Sequence, residues 1–220
     1  MREPRFIAIE GPIGVGKTSL AHLLAEHFNA RVVLDPADDN PFLEEFYRDQ
    51  AKNALQAQLH FLLARFHQQA EFKQPDLFNR AVISDYIFAK DKIFAYQTLG
   101  DHDLGLYEEI FTILDRESVR PDLVIYLQAA TETLWKRIRL RNRPSEREIS
   151  REYLENLNQA YNHFFFHYSD TPLLVIRTTE IDFVNRKEDL DDLLKQIRQM
   201  RRGTQYYVPM SSGENPPDKS

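Results

Sequence analysis

Five short apolar runs punctuate the chain, at residues 6–10, 31–34, 81–85, 123–127 and 173–177. Each is rich in β-branched or aromatic residues and is mostly continuous rather than alternating, the pattern of a strand covered on both faces in a parallel sheet. Helical spacing fills the gaps. Leu20, Leu23, Leu24 and Phe28 share one face of a helix after Thr18, and Phe42, Phe46, Leu55, Leu59, Leu62, Leu63 and Phe66 mark a longer one over 41–72. Further helices are predicted over 131–140, 150–167 and 187–201. Between the first two of these, Arg143-Pro144-Ser145-Glu146 reads as a loop, because proline disfavours helix in the residue before it. Strand and helix in alternation predict a doubly wound α/β sheet, with helices on both faces and ligands at the carboxyl ends of the strands.

At 220 residues, 42% hydrophobic and 28% charged, the chain suits one buried α/β core over 1–202. Residues 203–220, with three prolines and little periodicity, read as a disordered tail. A net charge of −6 argues against a nucleic-acid polymer as partner, so any basic site must be local. With no cysteine, disulfide and thiolate-metal chemistry are excluded. The N-terminus carries no long apolar stretch, and no run approaches the ~18 apolar residues a membrane span needs, so a cytoplasmic protein without a membrane partner is expected.

Gly11-Pro12-Ile13-Gly14-Val15-Gly16-Lys17-Thr18 matches the phosphate-loop pattern G-x-x-x-x-G-K-[ST], with the strand before it and the helix after it that the motif requires. Backbone N–H groups of such a loop face phosphate oxygens, Lys17 reaches the β/γ-phosphates, and Thr18 ligates Mg²⁺. Nucleotide binding follows from the loop alone; the reaction does not. No N-K-x-D or D-x-x-G signature of a GTPase is present.

Two carboxylates end strands beside the loop. Asp35, after the second strand, can accept the proton of a substrate hydroxyl or cap the helix beginning near residue 40. Asp85, closing the third strand, suits a water-bridged Mg²⁺ or, again, a helix cap. Arg137, Arg139, Arg141, Arg143 and Arg147 then crowd one segment of an acidic chain. Arg137 and Arg141 share a helical face and Arg143 lies just past it, an arrangement for a lid closing on ATP phosphates. His163 and His167 lack a third metal ligand at useful spacing and read as ordinary helix residues.

These residues together resemble the deoxynucleoside kinase family over about 5–200. The likeness rests on Gly11 to Thr18, Leu34-Asp35-Pro36, Phe46-Tyr47, Gln58 with Arg65, and the lid from Arg137 through Arg141 and Arg143 to Glu146. It implies a P-loop kinase fold with a five-stranded parallel sheet, ATP with Mg²⁺, a deoxynucleoside acceptor in nucleotide salvage, and a homodimer. Residue by residue it implies Asp35 as base for the 5′-hydroxyl and Tyr47 and Glu146 on the 3′-hydroxyl. Gln58 would read the base with Arg65 and Asp91 nearby, and Arg137, Arg141 and Arg143 would grip phosphates. One departure is plain: many members have Glu-Arg-Ser after the third strand, where this chain has Ser84-Asp85-Tyr86. Asp85 can replace the glutamate at Mg²⁺; the arginine has no obvious counterpart. The Asp-Tyr form, with Ile181-Asp182-Phe183-Val184-Asn185 after the fifth strand, resembles bacterial members acting on purine deoxynucleosides, leaving deoxyadenosine and deoxyguanosine both open. The rival readings are a thymidylate-like nucleoside-monophosphate kinase, which needs an arginine where Tyr86 stands, and a non-catalytic ATP-binding switch, in which Asp35, Gln58 and Glu146 would have no chemical purpose.

Overall fold

The computed structural model describes residues 4–36, 40–73, 81–143, 146–179 and 181–208. Five strands form where the continuous apolar runs stand: β1 (Phe6–Glu10), β2 (Ala30–Val33), β3 (Ala81–Ser84), β4 (Leu123–Gln128) and β5 (Leu173–Arg177). Leu123 through Leu127 and Leu173 through Ile176 are buried, as strands covered on both faces must be. A sixth strand, β6 (Thr204–Tyr207), corrects both the five-strand expectation and the tail assigned from 203. It pairs in parallel with β5, Leu173 opposite Thr204 and Ile176 opposite Tyr207. Its residues are mostly exposed and polar, so an edge strand left no apolar run to read. Residues 209–220, Met1 to Glu3, and Pro144 and Ser145 of the lid loop lie outside the described residues.

Sheet order is β2-β3-β1-β4-β5-β6, with every pairing parallel. β1 sits between β3 and β4, so the chain winds outward from it in both directions, and the loops after β1, β2 and β3 meet at the carboxyl edge. The helices are α1 (Lys17–Phe28), α2 (Leu43–Arg48), α3 (Gln50–Lys73), α4 (Lys90–Thr98), α5 (Asp101–Asp115), α6 (Thr131–Arg141), α7 (Arg151–Phe166) and α8 (Lys187–Gln199). The single helix expected over 41–72 is broken at Asp49, whose extended backbone (φ −144°, ψ 87°) ends α2 before α3 begins.

α4 and α5 were not foreseen. α4 buries two charged side chains, Lys90 and Asp91, beside Ile93 and Ala95, so its inner face carries no apolar stripe. Those charges belong to the site. Leu20, Leu24, Ile125 and Ile176 lie in the core around β1, β4 and β5, which fixes the strand ends from which the functional loops project. Among the described residues no helix is long and apolar enough to cross a membrane.

Candidate active site

The phosphate loop bends where its glycines allow. Gly11 (φ 149°) passes so close to β4 that a Cβ there would lie 2.5 Å from the Leu127 carbonyl oxygen, and Gly16 (φ 107°) turns the chain into α1 in a left-handed conformation. The N–H groups and positive dipole end of a twelve-residue helix therefore face the loop's concavity. Lys17 folds over it, its Nζ donating to the Gly11 carbonyl at 2.7 Å and the Pro12 carbonyl at 3.2 Å. Burial and the nearby charge of Lys90 hold its pKa down, to about 8.

Asp85 ties the loop to β2. Its Oδ2 accepts from the Thr18 hydroxyl at 2.6 Å, and its Oδ1 accepts from the Asp35 N–H at 2.7 Å. Among the described residues neither carboxylate caps a helix. Asn40 accepts from the Phe42 N–H at 2.9 Å ahead of α2, and α4 follows Ala89, which offers no side-chain cap.

Asp35 instead points into a cavity against α3 and α4. Arg65 of α3 grips it with a fork, Nε to Oδ1 at 2.9 Å and Nη2 to Oδ2 at 3.0 Å, while Lys90 at the start of α4 meets Oδ2 at 2.5 Å. Burial alone would raise the Asp35 pKa, but the charges of Arg65 and Lys90 more than offset it, and the carboxyl is held well below the usual range. The other side of Arg65 pairs with Asp91, fully buried behind it. Desolvation raises Asp91 to about 6 despite that partner. The Arg65 guanidinium also lies 5.0 Å from the Phe61 ring centroid and 5.9 Å from that of Tyr86, whose hydroxyl donates to Gln68 at 2.6 Å.

One cavity gathers most of the anticipated residues. Gly14, Gly16, Lys17 and Thr18 of the phosphate loop line it together with Asp35, Tyr47, Gln58, Arg65, Asp85, Arg141, Arg143 and Glu146. Gln58 is buried, and its Nε2 donates to the Thr98 hydroxyl at 3.1 Å. That hydroxyl donates in turn to the Phe94 carbonyl at 2.8 Å, so toward Gln58 it can only accept, which fixes the orientation of the amide. Gln58 Oε1 and Glu146 Oε2 are buried acceptors with no hydrogen-bond partner among the described residues; the other oxygen of Glu146 pairs with Arg141.

Arg137 stands apart from this cavity. Its guanidinium donates to the Val15 carbonyl at 3.1 Å and the Thr178 carbonyl at 3.2 Å, beneath a second cleft lined by Gly14, Arg141 and Ile181 to Asn185. The three lid arginines therefore do not meet on one point: Arg141 reaches both cavities, Arg143 only the first, Arg137 only the second. Arg139 turns outward over Trp135, its guanidinium carbon 4.3 Å from the ring centroid.

Sequence reading missed Lys90, Thr98 and Glu10. Glu10, at the end of β1, is fully buried and accepts from the Gly11 N–H at 3.1 Å and the Ile87 N–H at 2.8 Å, pinning the phosphate loop to the turn before α4. Burial raises its pKa, opposed by Lys90 and Lys17. Its signal was a lone acid closing an otherwise apolar strand. Lys90 precedes Asp91, one charge beside another within an apolar segment, and Thr98 left no signal.

Comparison with known proteins agrees with this geometry. The deoxynucleoside kinase family model matches residues 7–201. A deoxyguanosine kinase of Bacillus subtilis is 34% identical over 205 residues, covering 91% of this chain and 99% of its own length. A deoxyadenosine kinase of Dictyostelium discoideum is 35% identical over 217 residues, covering 97% of this chain and 87% of its own. Among solved structures, the deoxyadenosine kinase from M. mycoides with bound dATP superposes with a TM-score of 0.74 at 26% identity, covering 88% of this chain and 99% of that one. A phosphate loop facing a buried, ion-paired aspartate, a family match over nearly the whole chain and relatives of this identity lead to one conclusion: the chain belongs to the deoxynucleoside kinase family.

Proposed function

We propose that this kinase transfers the γ-phosphate of ATP to the 5′-hydroxyl of a purine deoxynucleoside, in nucleotide salvage. One observation carries the reading: Asp35 lines the same cavity as the phosphate loop and the residues of the two open acceptors, Gln58 Oε1 and Glu146 Oε2. A nucleoside with its base at Gln58 and its 3′-hydroxyl at Glu146 and Tyr47 directs its 5′-hydroxyl toward Asp35. The hydroxyl oxygen then bonds to the γ-phosphorus as the bond to the β,γ-bridging oxygen breaks. Its electron pair leaves with ADP, and the hydroxyl proton passes to Asp35. A carboxylate held so firmly ionised is a weak base, but the transition state is loose and demands placement more than basicity. Arg141 and Arg143 close on the phosphates, while Arg137 braces the loop and the second cleft takes the remainder of ATP.

Thr18 and Asp85 fit Mg²⁺. Their oxygens, a hydroxyl and a carboxylate 2.6 Å apart at the helix N-terminus, are the hard donors this ion accepts alongside phosphate and water. Thr18 and Asp85 would hold the ion, which would supply positive charge to the phosphates of bound ATP. A homodimer acting in the cytoplasm is the expected form, and light scattering of the purified protein tests the dimer.

The purine assignment is supported by the named relatives, and Gln58 gives the base a polar contact. With its amide pinned by Thr98, the open Oε1 takes an N–H from the base, from the amino group of adenine or the N1–H of guanine. Arg65, committed to Asp35 and Asp91, holds the aspartate in place rather than reading the base. Gln58→Leu is expected to cost about 1–3 kcal/mol in kcat/KM for the best deoxynucleoside and less for poor ones, flattening the ranking. An unchanged ranking across the four deoxynucleosides would show that another residue reads the base.

The depressed Lys17 sets a second expectation. Only its protonated form attracts phosphate, so kcat/KM for ATP, which reports the free enzyme, should decline as pH rises through about 8. Bound phosphates raise that pKa, so kcat should hold to higher pH; a kcat/KM profile flat well past this limb would contradict the assignment.

Incubation with ATP, Mg²⁺ and a panel of nucleosides and nucleoside monophosphates tests the reading as a whole. A purine deoxynucleoside should be the best acceptor; phosphorylation of monophosphates alone, or a preference for thymidine, would overturn it.

A further inference from the structure

Lys90 is a buried cation at the N-terminal end of α4, where the helix dipole disfavours positive charge. Asp35 and Glu10 together more than offset the burial of Lys90 and hold it charged. Asp91, Arg65, Asp35 and Lys90 form a chain of alternating charge, each in contact with the next. Arg65 already engages both Asp35 oxygens, so Lys90 is not needed to orient the carboxylate. It is the end of the chain, and it lines the cavity beside Lys17 and Thr18. Its Nζ makes one hydrogen bond among the described residues, to Asp35 Oδ2, and lies 5.8 Å from the Phe94 ring centroid. An ammonium has three donors, so two buried N–H groups await acceptors. They lie in the cavity that the phosphate-loop residues Lys17 and Thr18 share with Asp35.

We propose that Lys90 is a catalytic residue: its ammonium bridges Asp35 to an oxygen of the phosphoryl group in transfer and holds that group afterwards on the deoxynucleoside 5′-monophosphate. Lys17 and Lys90 then act on the phosphoryl group from the donor and acceptor sides. Lys90 keeps its proton throughout; the hydroxyl proton goes to Asp35, the new bond forms at phosphorus, and ADP departs with the electron pair of the broken one. Lys90 thus supplies, from α4, a cation that the Ser84-Asp85-Tyr86 segment does not. The inference rests on the acceptor site proposed above.

Three variants test it: Lys90→Met, which keeps the stem, Lys90→Ala, which opens a space for a small amine, and Lys90→Arg. Lys90→Met should lower kcat by about 100- to 1,000-fold. KM for the deoxynucleoside should move less than about 3-fold, since the interaction is made to the phosphoryl group and not to the bound nucleoside. Propylammonium should restore at least about ten-fold in rate to Lys90→Ala and none to Lys90→Met, and Lys90→Arg should keep more activity than Lys90→Met, as a lost cation predicts and a lost packing contact does not. Calorimetry should show deoxyadenosine and deoxyguanosine monophosphates binding about ten-fold more weakly to Lys90→Met than to wild type, with the parent nucleosides unaffected. Lys90→Met with near-wild-type kcat, or equal losses for nucleoside and monophosphate without amine rescue, would overturn the proposal. A wild type inactive on every deoxynucleoside would instead sink the acceptor-site reading, and the monophosphate-to-nucleoside binding ratio would still decide the question of Lys90.

Discussion

Lys17→Met should leave a folded protein with kcat reduced by about 1,000-fold or more. Lys17 is the loop's own cation, held over the concavity by the Gly11 and Pro12 carbonyls, and charge accumulates on the β/γ-oxygens as the phosphoryl group departs. Methionine matches the length of the stem and retains its packing. Burial and Lys90 both disfavour the charge on Lys17, so its removal should not lower Tm and can raise it slightly. Calorimetry should also show weaker ATP binding. Near-wild-type kcat would remove the phosphate loop from catalysis, while a collapse in Tm would show that the loop depends on this side chain to fold.

Asp35→Asn should have a double effect, on rate and on stability. The amide keeps the shape but cannot accept the 5′-hydroxyl proton, and kcat should fall by about 100- to 10,000-fold with ATP affinity little changed. Stability should fall as well, because Arg65 and Lys90 each lose a buried ionic partner; breaking such a pair costs about 3–5 kcal/mol. The pH dependence identifies the cause. Asp35's folded pKa lies below its ordinary value of 3.8, so its contribution is fully present above that value and is lost as pH falls below it toward the folded pKa. The variant should therefore show a shallower loss of Tm in that acid window than wild type. A rate unchanged alongside a lowered Tm would make Asp35 structural and move the hydroxyl's proton acceptor elsewhere.

Reading the chain from its own periodicity succeeded where burial is uniform. The inner strands are apolar on both faces, so Phe6–Glu10 and Leu173–Arg177 appear in the sequence with the bounds seen in the sheet. It failed where burial is mixed. β6 is an exposed, polar edge strand, and α4 turns charges inward, so neither shows the pattern that periodicity detects. The candidate site divides in the same way. Residues 11–18 form a contiguous motif whose local geometry dictates its composition, and Asp35 and Asp85 were visible because strand ends in this architecture face the ligand. Arg137 and Arg141 share a helical face, but their reach depends on what lies beyond it; in the fold the Val15 and Thr178 carbonyls take Arg137 out of the first cavity.

By itself, the sequence determined the α/β class, the phosphate loop, the carboxylates beside it and the family, because each is written in short-range spacing or in residue identity along the chain. Only the tertiary structure decided how the charges pair. The Asp91–Arg65–Asp35–Lys90 chain joins a loop after β2 to two helices that are remote from it in sequence, and ion pairs across such distances leave no local period. The same holds for the Gln58 amide, oriented by Thr98 forty residues away, and for Glu10, bonded to the Ile87 N–H seventy-seven residues away. A hydrogen bond acts over about 3 Å, and which groups come that close is settled by packing, not by order along the chain.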